Sequence, residues 1–177
     1  MTNCVEALTR WVGKSKAVVV YDSTTDEFTD RRFFDHVWGK RNIAIVALTT
    51  DGDVFGGFCT VTAPTCGCGV CDPAMFVFSF ESHGRCTTPQ RFRLKAELQD
   101  KAYVMFFKND LEGWFVWFRV SGCGGFHLGH ERANTYCHDL AQCFDGIENT
   151  TLTGSTMDAD GDHCHRCFRL VAVQLSN

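Results

Sequence analysis

Ile43–Phe58 reads IAIVALTTDGDVFGGF, an antiparallel hairpin written out in sequence. Ile43–Leu48 is an apolar, partly β-branched run that predicts a strand. Asp51-Gly52-Asp53 is a strong hairpin turn, and Val54–Val61 returns from it. Downstream, Met75–Phe80 alternates with period two, so Phe76, Phe78 and Phe80 share one face of a strand. Tyr103–Phe107 and Trp114–Val120 predict a second hairpin around Asn109-Asp110. Its second arm is apolar on both faces, with Trp114, Val116 and Phe118 opposite Phe115 and Trp117, as a covered central strand requires. Cys167–Leu175 predicts the last strand.

Upstream, two helices are expected. Asn3 can cap the first, Glu6 sits three residues on, and Val5, Leu8 and Val12 form an apolar stripe. Ala17–Tyr21 then reads as a strand. The second helix begins near Thr29 with Asp30 in its first turn, carries Phe33, Phe34, Val37 and Trp38 at helical spacing, and ends at Gly39. Ala63–Pro73, Ser82–Gln90 and Glu148–His163 read as loops. Two helices with seven or more short strands predict an α+β, mainly β fold: a two-sheet antiparallel β-sandwich with two or so short helices.

Composition agrees. The chain has 177 residues, 45% of them hydrophobic, enough for one domain over residues 1–177 with a packed core. Sixteen Phe and four Trp favour β structure, and only three Pro occur, with no linker between them. A net charge of −4 weighs against a dedicated nucleic-acid binder. Met1–Arg10 lacks the pattern of a secretory signal, and no apolar run approaches the roughly 18–20 residues of a membrane span. The expectation is an intracellular protein in the cytoplasm, with the nucleus as alternative and no membrane span. In that compartment 11 cysteines read as thiols or metal ligands, and their odd number forbids complete pairing. The sequon Asn149-Thr150-Thr151 is expected to be silent there.

Several catalytic signatures break at a required residue. Gly13-Lys14-Ser15 resembles the end of a phosphate loop, but Leu8 stands where the first glycine belongs. Gly122-Cys123-Gly124 opens a dinucleotide loop whose third glycine is replaced by His127. His130-Glu131 lacks the second zincin histidine, since position 134 is Asn134. Asp158, Asp160 and Asp162 imitate a calcium loop in which His163 replaces the obligatory glycine and Arg169 the bidentate glutamate.

Two clusters are candidate metal ligands. Cys66, Cys68 and Cys71 lie in a Gly-rich loop, where a C-x-C-x-x-C run can set three thiolates around one tetrahedral ion. His163, Cys164, His165 and Cys167 precede the last strand, and one of them could supply a fourth ligand if the loops meet. Zinc suits such soft ligands best. Inert or redox-active thiols are the competing readings. Cys4, Cys59, Cys86, Cys123, Cys137 and Cys143 are scattered and expected to pack, as are His127, His130 and His138. Arg85, Arg91, Arg93 and Lys95 form a modest basic stretch, read first as a solvated strand face.

The order of YDS (Tyr21–Ser23), RRFFDHVWGK (Arg31–Lys40), IAIVALTTDGDVFGGF, MFVFSF (Met75–Phe80), GCGGFHL (Gly122–Leu128) and RCFRLVAVQL (Arg166–Leu175) resembles the TLDc domain family, from about Leu8 to Leu175. Ala172-Val173 in the last strand and the Cys-rich loop after Phe58 depart from the family pattern. The resemblance implies a two-sheet sandwich with helices at its ends. It also implies a non-catalytic protein-interaction module, a role in resistance to oxidative stress, and the vacuolar proton ATPase as protein partner. The alternative is a zinc-binding regulatory protein, or a stress-responsive DNA binder using Arg85–Lys95.

Overall fold

The computed structural model describes residues 2–62, 67–108, 113–129, 135–154 and 166–177. The described chain begins with helix α1 (Thr2–Val12), strand β1 (Lys16–Asp22), helix α2 (Asp30–Val37) and the hairpin of β2 (Ile43–Thr49) and β3 (Val54–Cys59). Strands β4 (Gly69–Cys71), β5 (Phe76–Glu81) and β6 (Gln90–Arg93) follow, then a 3-10 helix (Ala96–Lys101). The remainder is β7 (Ala102–Phe106), β8 (Trp114–Val120), β9 (Gly125–Gly129), β10 (Tyr136–His138), helix α3 (Leu140–Cys143) and β11 (Cys167–Ser176). All the strand pairs are antiparallel and form two sheets, one ordered β1-β11-β2-β3-β5-β6 and the other β10-β9-β8-β7-β4.

The expected mainly β sandwich of two antiparallel sheets is the observed fold. Alternation explains its layers. Ile43, Ile45 and Ala47 of β2, with Phe55 and Cys59 of β3, face the second sheet's Val104, Phe106, Val116, Phe118, Val120, Phe126 and Leu128. The opposite face of β2 is not left wet. Ala44 and Val46 join Phe58, Phe76, Phe78, Val173 and Leu175 in a second apolar layer, roofed by Leu8, Trp11 and Val12 of α1. The six-stranded sheet is therefore covered on both sides, which is why Ile43–Leu48 reads as continuously apolar.

At Gly57 the two sheets come into close contact. A Cβ on Gly57 would lie 2.7 Å from the Phe118 ring. Glycine at this inward position lets the aromatic layer of the opposite sheet settle against bare backbone.

Helix α2 closes one end. Thr29 Oγ1 accepts the Arg32 amide at 3.3 Å, and Phe33, Phe34 and Val37 are buried. Phe33 meets Tyr21 edge-on at 5.4 Å and Phe115 at 5.5 Å. Trp38 departs from the expected apolar stripe: the helix ends at Val37, Gly39 adopts φ +72°, and Trp38 is 61% exposed. A register shift in β8 between Trp114 and Val116 also overturns its simple alternation. The extra residue flips parity, so Phe115 joins Val116 and Phe118 in the core, while Trp114 lies against Trp117 with ring centroids 5.8 Å apart. Helix α1 starts at Thr2, one residue before the expected cap Asn3.

Candidate functional site

The end of α1 and the β5–β6 edge enclose an open cleft of about 760 Å³ on the outside of the sandwich. Segments far apart in sequence build it. Helix α1 stops at Gly13, which takes φ +68°, and Lys14 N donates back to Thr9 O at 3.0 Å. This carries Trp11 and Lys14 to the rim. The outward residues of β3 and β5 supply Phe58 and Phe76, stacked with centroids 5.0 Å apart. In β6, alternation drives Phe92 into the core and leaves Arg91 and Arg93 on the cleft side.

Arg91 is the hinge of this arrangement. Its guanidinium donates to Trp11 O, one of the orphan carbonyls at the end of α1, and lies 5.8 Å from the Phe76 ring centroid. Burial, and then the charge of Arg93, holds its pKa below the usual arginine value, yet it stays protonated at physiological pH. Among the described residues, Lys14, Arg91 and Arg93 share the lining with one carboxylate, Asp145. An aromatic floor under a cationic rim suits an acidic segment that also carries an apolar side chain.

The basic stretch 85–95 therefore divides. Lys95 Nζ caps Ala141 O at 2.8 Å. Arg85 turns to Asp53, a carboxylate only 1% exposed, and donates to its Oδ1 at 2.5 Å. His83 Nδ1 approaches the same oxygen at 2.9 Å and so carries the proton there. Arg85 also reaches Thr151 O at 3.3 Å and Leu152 O at 3.4 Å. Asp53 thus anchors the β2–β3 turn to two loops. Ser82, beside His83, accepts from Cys86 N at 2.7 Å.

The candidate zinc ligands are only partly within view. Cys66, His163, Cys164 and His165 lie outside the described residues, as do Asp158, Asp160 and Asp162 of the calcium-like run and the His130-Glu131 pair. Cys68 and Cys71 are exposed, the latter in β4 opposite Tyr103, so the supposed loop Ala63–Pro73 contains an edge strand. Cys167 is drawn into the core. Its thiol donates to Arg169 O at 3.2 Å, and burial pushes its pKa up to about 12. Among the described residues no three His, Cys, Asp or Glu side chains gather as a metal site.

Cys137 and His127 fall on opposite faces of the second sheet. The Cys137 thiol is in the inter-sheet core, where burial raises its pKa to about 12. His127 stacks on Trp117 on the outer face, centroids 4.4 Å apart, with His138 edge-on at 5.8 Å. Burial, and then Arg119 and His138, depress the His127 pKa to about 2, so it is a neutral packing residue. Asn149 has a structural use: its Oδ1 accepts the Ala141 amide at 2.8 Å in the first turn of α3. Cys123 and Cys143, both expected to pack independently, instead meet sulfur to sulfur at 2.7 Å.

No protein-family model matches the chain, and no curated protein matches it. Among the described residues no helix is long and apolar enough to cross a membrane.

Proposed function

We propose that this chain is a non-catalytic, TLDc-type protein-interaction module that contributes to oxidative-stress resistance and binds the vacuolar proton ATPase from the cytoplasmic side. The observation that carries the reading is the cleft between Trp11 and Arg93, in which Lys14, Arg91 and Arg93 surround an aromatic floor. Its shape and charge favour docking of an acidic, partly apolar protein segment. Two further features support binding over turnover. The inter-sheet space is filled with aromatic side chains, and the Asp53–His83 pair is engaged with Arg85 as an anchor between loops. The motif order from Tyr21 to Leu175 supports the family reading.

A binding assay with purified proton ATPase tests this. Saturable binding that weakens as salt rises is the expected result, because exposed cation–carboxylate contacts are screened. Absence of binding, together with turnover of a small-molecule substrate by the pure chain, refutes the reading.

A further inference from the structure

We propose that Cys123 and Cys143 are a peroxide-oxidisable pair that closes into an intramolecular disulfide, locking the β8–β9 turn to α3. The proposal stands independently of the partner reading. Its basis is that two sequence-distant thiols are held together by backbone that has little freedom to part them.

Pairing of β9 with β10 sets His138 opposite Gly125, so the segments just beyond these residues must run side by side. Cys123 sits in the turn before β9, fixed by its own amide to Val120 O at 3.1 Å and by the Val120 amide to Gly124 O at 2.8 Å. Cys143 ends α3, whose chain is tied back through Lys95 N to Cys143 O at 3.1 Å. Gly124 makes the approach feasible: a Cβ there would stand 2.5 Å from His138 O and 2.7 Å from Asp139 Cβ. Its amide donates to the Cys143 sulfur. The sulfurs then lie 2.7 Å apart, nearer than two unbonded sulfur atoms rest.

The two thiols differ in access. Cys123 is half-buried and Cys143 buried, so a small oxidant meets Cys123 first. The Cys123 thiol gives up its proton, its sulfur attacks one peroxide oxygen, the O–O bond breaks, and the leaving hydroxide takes that proton, so sulfenic acid and water form. Cys143 sulfur then attacks Cys123 sulfur. The S–O bond breaks, the S–S bond forms, and the hydroxyl leaves as a second water with the proton from Cys143. The sum is two thiols and one hydrogen peroxide giving one disulfide and two waters. Burial, and then the neighbouring Cys123 thiol, hold the Cys143 pKa high.

Peptide mapping tests it. The folded protein is treated with hydrogen peroxide, unfolded in N-ethylmaleimide, and digested with trypsin without reduction. Val120–Arg132 should appear joined to Ala133–Arg166, two hydrogens lighter than the separate peptides, with fragment ions placing the link on Cys143 rather than Cys137 or Cys164. Dithiothreitol should restore both thiols. Pairing should be more than about tenfold faster in the folded chain than in urea, because the fold supplies the proximity. Cys143 is buried, so Cys123→Ser is the primary variant; in it Cys143 should be recovered as the maleimide adduct. The proposal fails if Cys123 is recovered as an adduct or as sulfinic acid once exposed Cys68 and Cys71 have reacted. It fails equally if Cys123 is found joined to a different cysteine.

Discussion

Arg169 of β11 holds Asp22 of β1 with both arms of its guanidinium: Nη2 lies 2.6 Å from Oδ2 and Nε 3.1 Å from Oδ1. The pair sits where β1 leaves the sheet, and Asp22 also accepts the Thr24 amide and hydroxyl. Arg169, the hydrogen bonds of Thr24 and the guanidinium charge together take the Asp22 pKa down to about 2. A carboxyl lowered on folding stabilises the native state above its unfolded pKa of about 4, and that contribution fades as pH falls from about 4 towards 2. Asp22→Asn keeps the acceptor for Thr24 but loses the charge. Urea unfolding should show it about 1–2 kcal/mol less stable than wild type at pH 7, with the gap closing near pH 2. A gap independent of pH contradicts the assignment.

Arg85 compensates a carboxylate that is almost wholly enclosed, with Asp53 Oδ1 at 2.5 Å. His83, the other group on that oxygen, has a half-exposed side chain. Arg85→Ala should destabilise by about 2–4 kcal/mol, because it strands a buried charge. It should also increase hydrogen exchange in the segment around Thr151 and Leu152, to which Arg85 donates. Stability within about 0.5 kcal/mol of wild type would show that Asp53 does not need its guanidinium.

Gly57 of β3 meets the Phe118 ring of β8 across the two sheets. Gly57→Ala places a methyl 2.7 Å from the ring, so either the ring or the sheet must shift. The expected cost is about 1–3 kcal/mol. Combining it with Phe118→Leu should cost less than the sum of the two single changes, since the smaller side chain vacates the contested space. Strict additivity in thermal unfolding would place the contact elsewhere.

The apolar runs Ile43–Leu48 and Trp114–Val120, the Asp51-Gly52-Asp53 turn and the alternation of Met75–Phe80 made the sandwich readable, because the apolar pattern of a strand is a property of that strand alone. What escaped depended on neighbours. Strands β4, β6 and β10 have three or four residues, too few for a period to show. Strand β9 opens on Gly125, whose φ is +152° and where a Cβ would collide with the Phe118 carbonyl, so its first residue carries no strand propensity. Trp114 changed faces through a bulge that leaves no mark in composition. The cleft joins Trp11, Phe76 and Arg93, and the sulfur pair joins Cys123 to Cys143. Neither has a local spacing to betray it. The sequence grouped Arg85, Arg91, Arg93 and Lys95 as one patch, whereas strand direction and loop closure send them to three different jobs.

The central claim is that this protein acts by docking an acidic protein surface at the cleft between α1 and β6. Titration calorimetry against purified vacuolar proton ATPase, with wild type, Arg93→Glu and the control Lys16→Glu on exposed β1, tests it most directly. Wild type and Lys16→Glu should bind alike, while Arg93→Glu binds at least about tenfold more weakly, a loss of roughly 1.4 kcal/mol. Equal binding by all three proteins, or no binding by wild type, would contradict it.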